Sequence, residues 1–519
     1  MPLVSSVSSS LQAAMINFEF QNSFILFLLS FFSLLSFLGF FFFKKPKVDL
    51  KSPPSPPSLP IIGHLHHFLS PLIHKCFQKI SSNEIFKSHD VNISSRGLPP
   101  IDESLFFGET GFFSAPHGDY WKFMKQLLIT KLLGPHAIER LRAVRAEELE
   151  RFYFRLLEKA RKKECVEIRR EAMIFTNNST CKMIVGRTCS EEDGEGERVW
   201  GLITESISLT KKVLFTTLLR KPLEKLGISL FKEEIMGISE RYDKVLETFL
   251  AEHENVAEKQ GMNLMDVLLE AKGDEKSEYK ITRDQIKALV GVASSSDKGR
   301  YFKRVYNLQE LFLGGTDTSK QTIQWKMAEI INNPSTMERM REEIDSVVGK
   351  SRLIQETDLP NLPYLQGVVK EGLRLYPPIP VFGRRLQEGC VMGGFYVPEK
   401  TTLVVNGYAV MRDSDYWENP DDFKPERFLA SLGSEQEDAT KEKVLKYLPF
   451  GSERRGCPGT NLAYIFLGTA IGMMIQCFDW KIEGDKVNME ETLSGMVLTM
   501  AHPLKCTPIP RGLPISKGL

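Results

Sequence analysis

From Phe24 to Phe43 the chain reads FILFLLSFFSLLSFLGFFFF, 20 residues without a charge. A helix of that length, at about 1.5 Å per residue, spans roughly 30 Å, the thickness of a bilayer's hydrocarbon core. A cleaved signal peptide is the rival reading. Its apolar region is usually about 7–15 residues long and ends at small residues. Here the run ends in four phenylalanines and then Lys44, Lys45 and Lys47. An uncleaved membrane anchor is therefore expected over 24–43, inside an amino-terminal segment of residues 1–43. Met15 is an alternative start that would shorten the tail before it. The lysines follow the anchor, and only Glu19 precedes it, so the positive-inside rule places everything after residue 44 in the cytosol.

Residues 44–60 form a basic, proline-rich linker. Its PPSPPSLP stretch, Pro53 to Pro60, is stiff and extended, and reads either as a plain connector or as a spacer that orients the next domain to the membrane. Residues 61–519 read as one mainly helical domain with small β-sheets. Glu139 to Arg161, Ile235 to Lys259 and Pro334 to Val348 carry the charge pattern of solvent-facing amphipathic helices. GGFYVPEKTTLVVN reads as a strand, a turn and a strand. Lys+Arg is 67 against Asp+Glu 66, so there is no basic excess to hold nucleic acid. The eight cysteines are scattered without a C-x-x-C pair, which excludes a zinc ribbon and a thioredoxin-type motif. We read the thiols as mostly reduced, in keeping with a cytosol-facing domain. HLHH at His64 to His67 has no second set of ligands nearby and is not read as a metal site.

One cysteine stands apart. In PFGSERRGCPG, Pro449 to Gly459, turn residues crowd Cys457, and a long apolar helix is expected directly after it, from Thr460 to Trp480. A helix amino terminus favours a thiolate. Gly451 and Gly456 let backbone approach closely, and Arg454 and Arg455 offer cations suited to carboxylates. That combination suits a haem iron and its propionates, but local chemistry alone leaves a buried structural cysteine equally open.

The wider pattern separates the two readings. The segment resembles the cytochrome P450 haem-binding signature F-x-x-G-x-R-x-C-x-G, matched at Phe450, Arg455, Cys457 and Gly459. Glu453 stands where the family has glycine, and strain follows if that position needs a positive φ. EGLR, Glu371 to Arg374, resembles the family's E-x-x-R motif, whose ends share one helix face. FKPERF, with Arg427, resembles the region whose arginine joins Glu371 and Arg374 in a structural triad. GGTDT, Gly314 to Thr318, resembles the oxygen-activating motif of the central helix, where glycines and a threonine hydroxyl open a helical turn. Trp121 and Lys125 resemble a W-x-x-x-R propionate contact with lysine in place of arginine, so a fork becomes a point charge. Arg384 resembles the other propionate-binding arginine, with Arg385 as the alternative. The resemblance covers about residues 50–510. From Thr322 to Pro510 it is most similar to plant microsomal family 705, subfamily A, through QWKMAEIINNP, RLIQETDLPNLPYLQ and TMAHPLKCTPIPR.

The chain departs from that pattern in two places. At Ser82–Asn83 the first strands of the amino-terminal sheet are missing, which would leave apolar edges and backbone donors uncovered. At 291–309, GVASSSDKGRYFKRVYNLQ interrupts what the family joins into one helix. Ser294 to Gly299 is poor helix sequence and reads as a loop. A retained intron or wrong gene model explains it, and a tolerated flexible insertion is the other explanation; a transcript lacking codons 291–309 would favour the former.

The resemblance implies a P450 fold behind a single transmembrane helix, with haem b (iron protoporphyrin IX) as cofactor. Cys457 would be the axial ligand, an electron-rich thiolate that favours O–O cleavage. Asp317 and Thr318 would organise proton delivery. Trp121, Lys125, Arg384 and Arg455 would hold the propionates, with Phe450 and Gly459 lining the cofactor loop. Glu371, Arg374 and Arg427 would brace it. The reaction implied is insertion of one oxygen atom from O2 into a hydrophobic plant metabolite, a terpenoid or triterpene alcohol. The chain has no dinucleotide fingerprint of its own, so electrons would come from a separate NADPH–cytochrome P450 reductase docking near Arg454 and Arg455, with cytochrome b5 as a second candidate donor. The location implied is the endoplasmic reticulum membrane, catalytic domain in the cytosol. A membrane-tethered, catalytically impaired homologue is the alternative class, and haem incorporation separates the two.

Overall fold

The computed structural model describes residues 92–95, 115, 117–188, 263–273, 309–392, 394–429 and 446–512, together with residue 30 and separate residues between 201 and 251. The expected anchor apart from Ser30, the linker, the junction at 82–83 and the loop at 291–308 lie outside the described residues.

The first described helices are α1 (Asp119–Leu128), α2 (Pro135–Arg140) and α3 (Arg142–Arg161). The single helix expected over Glu139 to Arg161 is thus two, because the chain turns at Leu141, where φ is −94° and ψ 9°. On α3 the residues Leu149, Phe152, Leu156 and Ala160 recur at helical spacing and are buried, so this stripe docks while the charges between face water. Next come β1 (Val166–Glu167), α4 (Ile168–Val185) and α5 (Leu264–Gly273). A short helical turn, Gln309–Phe312, runs into a π-helical segment, Leu313–Asp317, and then α6 (Thr318–Asn332). Proline opens both α7 (Pro334–Val347) and α8 (Pro363–Leu375), where its missing N–H costs nothing.

Strands β2 (Val381–Arg385), β3 (Cys390–Met392), β4 (Phe395–Val397) and β5 (Thr402–Asn406) follow. The two strands expected in GGFYVPEKTTLVVN form, but not with each other: β3 pairs with β4 and β2 with β5, all antiparallel. On the open side of β2, Arg385 N donates to Ser95 O at 2.9 Å and Gln387 N to Asn92 O at 2.9 Å, so residues 92–95 cover part of an edge that the missing strands would leave bare.

The long apolar helix is α9 (Thr460–Cys477). It stops three residues short of the expected Trp480, where the chain extends into β6 (Phe478–Lys481). By length and composition α9 could cross a bilayer, yet 67% of it is buried inside the protein against α6, α7 and α8. The hairpin β7 (Glu491–Ser494) and β8 (Val497–Met500) precedes β9 (Lys505–Pro510), which lies between β1 and β6 in a three-stranded antiparallel sheet.

The core between α6 and α8 holds an unusual cation. Lys326 is fully buried and its Nζ has no hydrogen-bond partner. Its stem fills the place where a Cβ on Gly372 would stand, 2.6 Å from Lys326 Cγ, so glycine is what admits it. Burial pulls its pKa well below the ordinary lysine value. In the unfolded chain the amine keeps its proton up to about pH 10.4. Between the folded and unfolded values the unfolded state holds the extra proton, so stability rises as pH rises through that window. Lys326→Met should raise the unfolding free energy at pH 7 by on the order of 2 kcal/mol, seen as a higher thermal midpoint, and flatten the rise toward pH 10. A variant with the wild-type midpoint and the wild-type pH slope would defeat this account.

Candidate functional site

The loop before α9 is built by short-range geometry. Gly451 takes φ +72°, and its N–H donates to Leu448 O at 3.1 Å. Glu453–Arg455 makes one 3-10 turn, closed by Gly456 N donating to Glu453 O at 2.9 Å. Cys457 N then donates to Phe450 O at 2.9 Å and pins the loop's two ends together. The Phe450 ring stands edge-on to Tyr464 of α9, 5.4 Å between centroids. Cys457 ends up exposed and outside any disulfide; Cys165, Cys390, Cys477 and Cys506 are free thiols too, the last two buried, while Cys181 is disulfide-bonded, an exception to thiols expected to be mostly reduced. Gly459 caps α9, so the thiol sits at a helix amino terminus, which favours its ionised form. A Cβ on Gly459 would meet only Cys457 Sγ, at 3.8 Å, among the described residues.

Cations converge on the loop. Arg455 is buried; its Nε donates to Ser94 O and its Nη2 to Ala115 O, both at 2.5 Å. Its guanidinium lies 4.3 Å from the Trp121 ring centroid, and Lys125 Nζ lies 5.0 Å from the same ring while donating to Arg454 O at 2.7 Å. Trp121 therefore gathers both cations. Arg384, buried on β2, brings its Nη2 to 3.8 Å from the Cβ position of Gly451. Arg385, the alternative, is next on the strand and so belongs to the opposite face. The docking face expected at Arg454 and Arg455 needs one correction: Arg454 is exposed, but Arg455 is turned inward and belongs to the loop's interior.

Glu453 has φ +53°, the left-handed region expected if a glycine belonged there. A side chain in that region costs about 1–2 kcal/mol. Glu453→Gly should accordingly raise the unfolding free energy from denaturant titrations by about 1 kcal/mol, with a higher midpoint. A lower midpoint would mean that the carboxylate contributes more than the strain it causes.

The glycine-rich motif opens the helix as expected. Leu313–Asp317 is π-helical, a local form that leaves backbone groups displaced from the regular ladder. Thr318 Oγ1 donates to Gly314 O at 2.6 Å. Across from it, Thr176 Oγ1 of α4 donates to Thr316 O at 3.5 Å, and a Cβ on Gly315 would stand 3.1 Å from Thr180 Oγ1. The structure does not join the side chains of Asp317 and Thr318. Asp317 turns into the core, where its Oδ1 meets Lys320 Nζ at 2.6 Å, with both side chains buried.

Glu371, Arg374 and Arg427 do meet. Arg374 grips Glu371 with two donors, Nε and Nη2, each at 2.8 Å, and both side chains are wholly buried. Its remaining donors go to Met411 O, Pro420 O and Asp422 O at 2.9, 2.7 and 3.2 Å. Arg427 Nε reaches Glu371 Oε1 at 3.2 Å, and Lys424 N donates to the same oxygen at 2.9 Å. Met411 and the stretch from Pro420 to Arg427 are thereby tied to one helix, α8. Sequence reasoning missed Lys320, whose i,i+3 spacing from Asp317 was the available signal, and Trp417, whose ring lies 5.1 Å from the Arg374 guanidinium.

Comparison with known proteins agrees with this geometry. The sequence model described as Cytochrome P450 matches residues 81–294 and 304–508. The two segments leave 295–303 between them, inside the loop set apart at 291–309. The chain is 57% identical to Cytochrome P450 705A22 of Arabidopsis thaliana, covering 97% of this chain and 99% of that one. It is 55% identical to Cytochrome P450 705A5 of the same plant, covering 96% and 99%. Among solved structures, a zebrafish cytochrome P450 determined with abiraterone superposes with a TM-score of 0.66 at 21% identity, over 83% of this chain and 91% of that one, a likeness of fold.

Proposed function

Because the chain belongs to the cytochrome P450 family, whose members are haem b monooxygenases, we propose that it oxidises a hydrophobic plant terpenoid, with a triterpene alcohol as the first candidate. The observation that carries the reading is the exposed thiol of Cys457 at a helix start, in a loop that also holds the buried Arg455 and has the buried Arg384 beside its Gly451. That donor set fits an iron porphyrin: a soft anionic ligand for the metal and cations for two carboxylates.

In this reading Cys457 holds the iron, and Gly459 keeps the adjoining face clear. Arg384, Arg455 and Lys125, with Trp121 beneath the last two, hold the propionates and neutralise their charge. Phe450 anchors the loop on α9. When bound, the haem supplies activation of O2 and insertion of one oxygen atom into the substrate. Asp317 and Thr318, at the opened π-turn, organise proton delivery. Glu371, Arg374 and Arg427 brace the loop. Electrons come from NADPH through a separate reductase, which meets the chain near the exposed Arg454; cytochrome b5 is a second donor. The run at 24–43 tethers the chain to the endoplasmic reticulum membrane with the catalytic part in the cytosol, so apolar substrate enters from lipid.

The test is direct. Full-length protein in microsomes, supplied with reductase and NADPH, should convert one or more triterpene alcohols to products one oxygen atom heavier, traced with labelled O2. A chain that holds thiolate-ligated haem but leaves every terpenoid unchanged would overturn the substrate class. A chain with no such haem would overturn the enzyme reading.

A further inference from the structure

Asp317 closes the π-turn, and its carboxylate is gripped on one side only. Oδ1 meets Lys320 Nζ at 2.6 Å, and both side chains are more than nine-tenths buried. Oδ2 is sealed from solvent and has no hydrogen-bond partner. An ionised carboxylate can accept about four hydrogen bonds. One ammonium therefore carries nearly the whole task of keeping this buried charge. The Thr316 hydroxyl, one residue earlier, and Asn177 Oδ1 on the facing helix α4 are also buried without partners. Among the described residues, then, the carboxylate has a single strong donor, Lys320, and the Thr318 hydroxyl is spent on Gly314 O at 2.6 Å.

We propose that Lys320 is a positioning residue for Asp317: it fixes the orientation and charge of the carboxylate, and Asp317 serves Thr318 only in so far as Lys320 holds or yields it. This rests on the reading of Asp317 and Thr318 as the proton-delivering pair. A lysine suits the task better than an arginine would. Its three donors sit on one small, mobile head, and it makes no rigid fork that would lock the carboxylate. The unfilled Oδ2 is then the side on which a water molecule can enter when the ion pair loosens.

The experiment compares Lys320→Met, Lys320→Gln, Asp317→Asn and the double variant Asp317→Asn/Lys320→Met as full-length, haem-loaded protein with reductase. Product formed per NADPH oxidised, hydrogen peroxide released and the solvent isotope effect on turnover are measured, with the carbon monoxide spectrum and the unfolding midpoint as readouts of assembly. Lys320→Met should keep the thiolate-type spectrum and a KM within about twofold, and lose product per NADPH by about ten- to a hundredfold, the electrons appearing as peroxide. Lys320→Gln, which keeps one donor, should recover part of the loss. The double variant should be no worse than Asp317→Asn alone, because the two act through one group. Normal coupling in Lys320→Met beside poor coupling in Asp317→Asn overturns the proposal and leaves the pair's reading intact. Normal coupling in Asp317→Asn overturns the reading itself. Loss of the thiolate spectrum in both lysine variants would assign the ion pair to folding alone and also overturn the proposal.

Discussion

Cys457→Ser is expected to remove the strongly red-shifted band of the reduced, carbon monoxide-bound protein and to lower turnover by more than about a hundredfold, roughly 2.7 kcal/mol or more in the barrier. The substitution changes one atom. The backbone bonds that shape the loop, from Cys457 N to Phe450 O and from Thr460 Oγ1 to Cys457 O at 2.9 Å, remain available to serine. The side chain is exposed, so little packing is lost. The fold should therefore survive, as far-ultraviolet circular dichroism would report, while the spectrum and activity do not. Serine's hydroxyl is a far weaker donor to iron than a thiolate and stays protonated near neutral pH. A variant that kept the red-shifted band would show that another residue holds the metal.

The second large effect is on stability. Arg374→Ala strips Glu371 of its bidentate partner and leaves a wholly buried carboxylate facing only Arg427 and the Lys424 amide. It also orphans carbonyls at Met411, Pro420 and Asp422. Breaking a buried pair from one side costs about 3–5 kcal/mol, and the abandoned carbonyls add to it. With whole domains stable by only about 5–15 kcal/mol, the expected outcome is little folded, haem-loaded protein. Arg374→Lys keeps the charge but not the fork, and should fall between the two. The measurement is the yield of haem-containing protein and its midpoint in urea. A midpoint within about 0.5 kcal/mol of wild type for Arg374→Ala would refute the bracing role.

What the sequence made legible was mostly local. The spacing of Glu371 and Arg374 placed both ends on one face, and the structure joins them. Turn residues around Cys457, with an apolar helix behind, gave the loop and its helix-start position. At Glu453 the sequence set only a condition, strain if the position needs a positive φ, and the structure meets it with φ +53°. Apart from helix ends, such as the break at Leu141, the failures involve partners distant in the chain. Nothing within GGFYVPEKTTLVVN shows that Thr402–Asn406 pairs back to Val381–Arg385. Arg455 reads like any loop arginine until residues 94 and 115 supply the carbonyls that turn it inward. Lys326 sits in a run whose period gives no sign of burial, because Gly372 on another helix makes the room. The same limit holds for Lys320: its spacing from Asp317 was visible, but not that both would be sealed from water.

The placement of β9 between β1 and β6 bears on how the chain is made. Val166 pairs with Cys506, about 340 residues later in synthesis, and Phe478 pairs with Pro510. At about 5–20 residues per second a ribosome needs roughly 15–70 s to bring the central strand out after the first. Throughout that interval β1 lacks its strand partner, and α6, α7 and α8, once made, wait for the apolar helix that covers them until residues 460–477 follow. The cysteine loop emerges in the same late stretch. Cofactor capture and sheet closure are thus nearly simultaneous events at the end of translation, and the nascent chain before them is an obligate client of whatever guards exposed strands. A stop codon just before Lys505 would take little of the length but would remove β9 whole and release β1 and β6 at once.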